Sequence, residues 1–178
     1  MSDILYRPAV ADDALCLGVL ATQVYLDTYA TQGIRPAIAR DALAHGGVAT
    51  YEALLADAGV TILVAESAGH LVGFAQVDDG VGHALVAEAA ASELRRLYVQ
   101  ERFTGRGIGR DLLRHAEKAA AARGAETLWL TAWTGNARAL QFYSRRGYVD
   151  LGATVYTFEG EEFPNRLFGK RVRHVTPA

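Results

Sequence analysis

Apolar residues along the first half of the chain change period several times, and each change predicts an element. Ile4, Leu5 and Tyr6 before Arg7 read as a short first strand. Asp12 or Asp13 can start a helix in which Leu15, Leu17, Val19, Leu20, Val24 and Tyr25 recur through about Tyr29. Thr31, Gln32 and Gly33 break it, and Pro36 suits the first turn of a second helix running to about Ala44. Gly46 and Gly47 interrupt again, a third helix runs from about Thr50 to Ala58, and Gly59 stops it. Residues 60–67 and 71–77 are rich in β-formers around a tight turn at Ala68, Gly69 and His70, which predicts a hairpin. Residues 81–92 look irregular, and the short alanine-rich stretch 87–91 reads as a flexible or helical loop.

The second half alternates strand and helix. Residues 93–99 form a predicted strand, residues 108 to about 123 an amphipathic helix ended by Gly124, and residues 127–132 a strand around Trp129. A helix starts at Asn136, and a last hairpin pairs residues 148–158 with 163–172 about Glu159, Gly160 and Glu161. Strand–helix–strand order implies a parallel pair joined by a right-handed crossover. The expected fold is therefore α/β, a mixed central sheet with helices on both faces, in a single domain spanning residues 1–178. No internal repeat is visible, and 178 residues suffice to bury one full core.

Composition narrows the function classes. A formal net charge of −2 gives no general attraction to nucleic acid or an anionic membrane. Cys16 is the only cysteine, so an internal disulfide is impossible and a reducing cytoplasm is the expected compartment. Cys16 itself reads as a buried structural residue. The histidines at 45, 70, 83, 115 and 174 lack metal-ligand spacing, and no metal is expected. The N-terminus does not read as a signal peptide, and no apolar run is long enough to span a membrane.

The chemistry concentrates in the turn after the strand at 93–99. Gly105, Gly107 and Gly109 occupy every second position just before an amphipathic helix. Such a turn aims unpaired backbone N–H groups outward at the positive end of a helix dipole, which suits a phosphate or diphosphate. A Walker loop fails here because no Lys-Ser or Lys-Thr pair follows, and the dinucleotide pattern fails because its last glycine is Arg110. The pattern Arg102, Gly105, Gly107, with Ile108 and Gly109 following, resembles the acyl-CoA signature of the GCN5-related N-acetyltransferase (GNAT) superfamily. Two further motifs follow in the order that the superfamily shows. Asn136, Ala139 and Tyr143 match its N-x-x-A-x-x-x-Y helix, and Phe142 through Gly147 to Tyr148 matches the glycine stop after it. The resemblance is specific across residues 97–148 and only at the level of fold across residues 1–90.

That resemblance implies acetyl-CoA as co-substrate. The turn at Arg102, Gly105, Arg106, Gly107, Ile108 and Gly109 would hold its diphosphate, with Arg106 and Arg110 as candidate extra charge. Asn136 would contact the pantetheine arm, and the main chain of Leu97, Tyr98 and Val99 would pair with it, Val99 and then Leu97 being candidate oxyanion donors. Two parallel strands would splay to admit the cofactor. Tyr143 would reach the thioester sulfur, and its ordinary pKa of about 10 suits it as the acid for the departing thiolate. Glu93 is the candidate base, with Glu88 and Asp78 as alternatives, since the acceptor arrives as an ammonium with a pKa near 10.4 or so. The expected acceptor is a primary amine of a small molecule or peptide. Asp78, Asp79, Glu88 and Glu93 would suit a polyamine-like cation. A non-catalytic acyl-CoA-binding module is the alternative reading, with a nucleotide- or DNA-binding protein a distant third. Residues 163–172 could exchange or pair in a homodimer.

Overall fold

The computed structural model describes residues 3–158 and 161–172. Glu159 and Gly160, where the last predicted turn falls, lie outside the described residues. Among the described residues, five α-helices and seven strands follow one another as β1 (Ile4–Pro8), α1 (Ala14–Tyr29), α2 (Pro36–Gly46), α3 (Val48–Ala56), β2 (Val60–Ser67), β3 (His70–Asp78), β4 (Ala91–Val99), α4 (Ile108–Ala122), β5 (Thr127–Trp133), α5 (Ala137–Ser144), β6 (Val149–Phe158) and β7 (Glu161–Arg171). The sheet is mixed, in the order β1-β2-β3-β4-β5-β7-β6. The chain divides into two compact units, residues 1–76 with 96–116, and residues 77–95 with 117–178.

In the first unit β1 runs antiparallel to β2, with Tyr6 opposite Ala65. Leu17, Leu20 and Ala21 of α1 close over Tyr51, Ile62, Val64 and Phe74 to make a core. Leu15 and Val19, expected among the apolar positions of this helix, are 60% and 63% exposed instead. Cys16 is exposed too, which corrects its reading as a buried residue. All three fall off the i, i+3, i+4 stripe formed by Leu17, Leu20, Ala21 and Val24. Asp13 stands at the N-cap of α1 without capping it. Its carboxylate instead accepts two hydrogen bonds from Arg7, at 2.7 and 2.9 Å, and one from the Val10 N–H. The predicted β2–β3 turn is tight, with Ala68 and Gly69 at φ 49° and 81°, the backbone of a type I′ hairpin.

In the second unit β4 and β5 are parallel, in a register from Ala91↔Thr127 to Glu93↔Trp129. The strand opens at Ala91, two positions before the expected start at Glu93. β7 pairs antiparallel with β5 along one edge and with β6 along the other. Both its edges are paired over residues 165–169, so there the expected pairing of this strand with a second copy has no free edge to use. Val86, Ala91, Trp129 and Leu167 form this unit's core. The Trp129 indole N–H donates to the Val81 carbonyl at 2.7 Å, which pins the irregular segment before β4.

Candidate functional site

The first unit carries the glycine turn. β4 ends with Leu97, Tyr98 and Val99 half-buried, and the Gln100 N–H donates to the Val72 carbonyl at 3.0 Å. A short 3-10 turn at Glu101–Phe103 follows. Gly105 and Gly107 then adopt φ +74° and +86°, a left-handed backbone that glycine adopts without penalty. The first helical bond runs from the Asp111 N–H to the Gly107 carbonyl at 3.0 Å. The N–H groups of Ile108, Gly109 and Arg110 therefore precede it and have no partner within the helix. Ile108 anchors the turn with a side chain 1% exposed, and a Cβ added at Gly105 would meet nothing within 4 Å. The turn thus combines fixed backbone, outward amides and open space, which fits a diphosphate.

Two of the arginines around the turn are already engaged. Arg106 lies over the Phe103 ring at 5.2 Å. Arg110 donates to both oxygens of Asp111 at 3.1 Å, and this contact holds the Asp111 carboxyl below its usual range. Arg102 is exposed.

Gly73 is a candidate site residue that the sequence reading missed. A Cβ on it would lie 2.7 Å from the Tyr98 carbonyl oxygen, 3.2 Å from Val99 Cγ2 and 3.3 Å from Leu112 Cδ1. Its glycine lets β3 approach β4 at the residues named for the cofactor. An isolated glycine inside a strand pattern was the available signal.

The second unit carries the helix motif and the carboxylates. Asn136 caps α5, its Oδ1 accepting from the Ala139 N–H at 3.0 Å, which leaves its amide NH2 as a donor pair. Tyr143 is 9% exposed, with its ring 5.7 Å from Tyr148 and 6.3 Å from Phe168. Gly147 is left-handed at φ +81°, and the Tyr148 N–H closes back on the Tyr143 carbonyl at 3.2 Å. That closure fixes the end of α5 as the glycine stop predicted. Burial, and then Glu117, push the Tyr148 hydroxyl well above its usual pKa.

Glu93 is no solvated strand end. It is 5% exposed and pairs with Arg95 Nη2 at 3.0 Å, while Arg95 Nε reaches Asp78 at 2.9 Å. Asp79 pairs with Arg123, and Glu88 with Arg171 at 3.0 Å. Its own backbone amide, and then Arg171, hold the Glu88 carboxyl below its usual range. The sequence pointed to these carboxylates but not to the arginines that neutralise them.

Comparison with known proteins now adds to this geometry. The model of the acetyltransferase (GNAT) family matches residues 29–148. Streptothricin acetyltransferase of Streptomyces lavendulae is 34% identical over 105 residues, 58% of this chain and 52% of that protein. IAA acetyltransferase of Azospirillum brasilense is 32% identical over 98 residues, 55% of this chain and 60% of that protein. The chain therefore spans little more than half the length of these curated relatives. The crystal structure of PaiA N-acetyltransferase from Thermoplasma acidophilum, in complex with coenzyme A, has the same fold, with a TM-score of 0.73 at 22% identity over 95% of this chain and 99% of that one. No helix among the described residues is long and apolar enough to cross a membrane. With most of its length inside the family model and a glycine turn of this geometry, the chain belongs to the acetyltransferase (GNAT) family.

Proposed function

We propose that the chain is an acetyl-CoA-dependent N-acetyltransferase acting on a primary amine of a small molecule or peptide. The observation that carries this reading is the turn before α4, where Gly105 and Gly107 are left-handed and the amides that follow have no helical partner. In this reading the amides of residues 105–109 hold the diphosphate, with Arg102 and Arg106 at its rim. Bound acetyl-CoA supplies an acetyl group activated as a thioester.

The chain's own residues then meet three demands. The acceptor must lose a proton, and Glu93 takes it, directly or through a water. The carbonyl oxygen gains charge as the amine forms the C–N bond, and the backbone N–H of Val99, then that of Leu97, stabilises it. As the C–S bond breaks, Tyr143 gives its proton to the departing thiolate. Asn136 and the main chain of Leu97, Tyr98 and Val99 hold the amide-bearing arm. Packing of the Tyr143 ring against Tyr148 and Phe168 supports a fixed position for the acid. A cytoplasmic location goes with this chemistry.

The polyamine reading loses support. Asp78, Asp79, Glu88 and Glu93, the carboxylates that would draw a polycation, are each ion-paired to an arginine. The test is calorimetry of acetyl-CoA with the wild type and with Gly107→Glu, alongside thiol release over a panel of amines. The variant should keep its fold by circular dichroism and lose binding. Undiminished binding by Gly107→Glu would remove the turn as the diphosphate seat. Binding by the wild type without turnover on any amine would leave an acyl-CoA-binding module.

A further inference from the structure

The first unit holds a second group of polar side chains, on α1, α2, α3, β3 and β4, among the aromatic residues of its core. Arg96, half-buried on β4, donates from Nη1 to Oε1 of Gln76, which is 1% exposed, and also hydrogen-bonds the Tyr98 hydroxyl. Tyr51 is fully buried, yet its hydroxyl has no hydrogen-bond partner. Burial pushes that hydroxyl up to about 12, with the Arg96 charge opposing. Tyr98 is likewise raised by burial, with Arg96 opposing and Asp41 reinforcing. Asp41 is 2% exposed, accepts from the Tyr25 hydroxyl and pairs with His45 Nδ1 at 2.8 Å. Phe74 packs edge-on against both Tyr51 and Tyr98, at 5.8 and 5.5 Å, so the group sits against an apolar wall.

Arg96 bonds differently from the ion-paired arginines of this chain. Arg7, Arg95, Arg110, Arg123, Arg166 and Arg171 each meet a carboxylate. Arg96 donates to a neutral carboxamide and a phenol, although it is more enclosed than most of these. A half-buried cation with neutral partners is poorly compensated and favours an arriving anion. One positive charge matches a monoanion, which favours a carboxylate over a dianionic phosphate. Arg96 also directly precedes Leu97, Tyr98 and Val99, the main chain assigned to the thioester.

We infer that Arg96, with the Tyr51 and Tyr98 hydroxyls, anchors the acceptor, and that the acceptor is an amine that also carries a carboxylate, of the free amino acid class. This rests on the acetyltransferase reading and names its substrate class. The guanidinium takes the carboxylate, and the phenols supply neutral donors that add no charge.

The experiment measures thiol release with free amino acids, the corresponding amino acid amides, and a polyamine. The wild type should use the acids with kcat/KM at least about tenfold above their amides, the scale of one hydrogen-bonded charge. Arg96→Gln should raise KM for the acids by about the same factor and erase the preference, with calorimetric acetyl-CoA affinity unchanged, and Arg96→Lys should restore part of it. Tyr51→Phe removes an unpaired hydroxyl, so it should keep or raise Tm while raising KM for the acids. Equal use of acids and amides, a preference for the polyamine, or a preference that survives Arg96→Gln would each overturn this assignment while leaving the acetyltransferase reading intact. Absence of thiol release with every amine would overturn both.

Discussion

Gly73→Ala tests the link from sequence to site most directly. The added methyl would stand 2.7 Å from the Tyr98 carbonyl oxygen, closer than a Cβ tolerates, and would also crowd Val99 and Leu112 at 3.2 and 3.3 Å. The nearest of these is backbone, so no side-chain rotation relieves the clash. β3 is buried through most of its length and has little room to retreat. Overpacking of this kind costs about 1–3 kcal/mol. Replacing glycine stiffens the unfolded chain and returns about 0.4–1 kcal/mol. With mid-range values the net loss is about 1.3 kcal/mol, or a Tm lowered by about 3–5 °C in a domain of this size.

Function should suffer more than stability. A shift of the Tyr98 carbonyl carries with it the neighbouring amides assigned to the thioester, and misplacement by an ångström or so can lower turnover by about a hundredfold. The assay is scanning calorimetry plus kcat and the KM for acetyl-CoA, with Gly82→Ala as control, since a Cβ there meets nothing within 4 Å. Gly73→Ala matching both the wild type and the control in Tm would refute the packing argument. A lowered Tm with unchanged kcat would detach Tyr98 and Val99 from the chemistry.

Three other expectations follow from single residues. Tyr143→Phe should lower kcat by about a hundredfold, with acetyl-CoA affinity unchanged in calorimetry, and equal turnover would strip Tyr143 of its role as acid. Asp13→Asn should destabilise by about 1–3 kcal/mol at neutral pH in urea titration, because Arg7 and the Val10 N–H lose a buried ionic acceptor. Arg7 depresses the Asp13 carboxyl, so this stability is present above its unfolded pKa of about 3.9 and disappears as pH falls through the lower folded value. The variant should therefore show a flatter acid limb, and an unchanged limb would count against the pairing. At the alkaline end the folded pKa of Tyr51, about 12, lies above the unfolded one, so stability holds below pH 10 or so and falls as pH rises through 12. Tyr51→Phe should flatten that limb, followed by tyrosinate absorbance and circular dichroism.

Local signals made the glycine turn and the α5 motif legible and left helix burial open. Gly105, Gly107, Asn136 and Gly147 act through their own backbone or the next turn, so a short stretch of sequence suffices to place them. α1 is apolar nearly all round, and its periodicity does not separate Leu17 and Leu20, which are buried, from Leu15 and Val19, which are not. Only α3, β2 and β3, arriving from elsewhere in the chain, select the buried stripe. β4 begins at Ala91 rather than Glu93 because pairing with Thr127 and Leu128 on β5 extends it backward, and that partner is distant in sequence.

Charge was the least legible property, and Arg95 and Arg96 show why. The two are adjacent and identical in type, and strand alternation sends them to opposite faces without saying what each face meets. Arg95 meets Asp78, 17 positions away, and Glu93, and its charge is fully answered. Arg96 meets Gln76, 20 positions away, and finds a neutral amide. Glu93 is close in sequence, but the contrast between Asp78 and Gln76 lies in what β3 presents, which no local window contains. A site field inferred from counting acidic residues therefore points to a cationic acceptor, whereas the paired structure cancels those carboxylates and leaves the Arg96 guanidinium hydrogen-bonded to neutral groups. If that inversion holds, exchanging Gln76 for glutamate should answer Arg96 internally and weaken a carboxylate-bearing acceptor. It should do so while leaving acetyl-CoA affinity in place, because residue 76 lies outside the turn proposed to hold the diphosphate. An unchanged KM for amino acid acceptors in Gln76→Glu would show that the Arg96 charge does not face the acceptor.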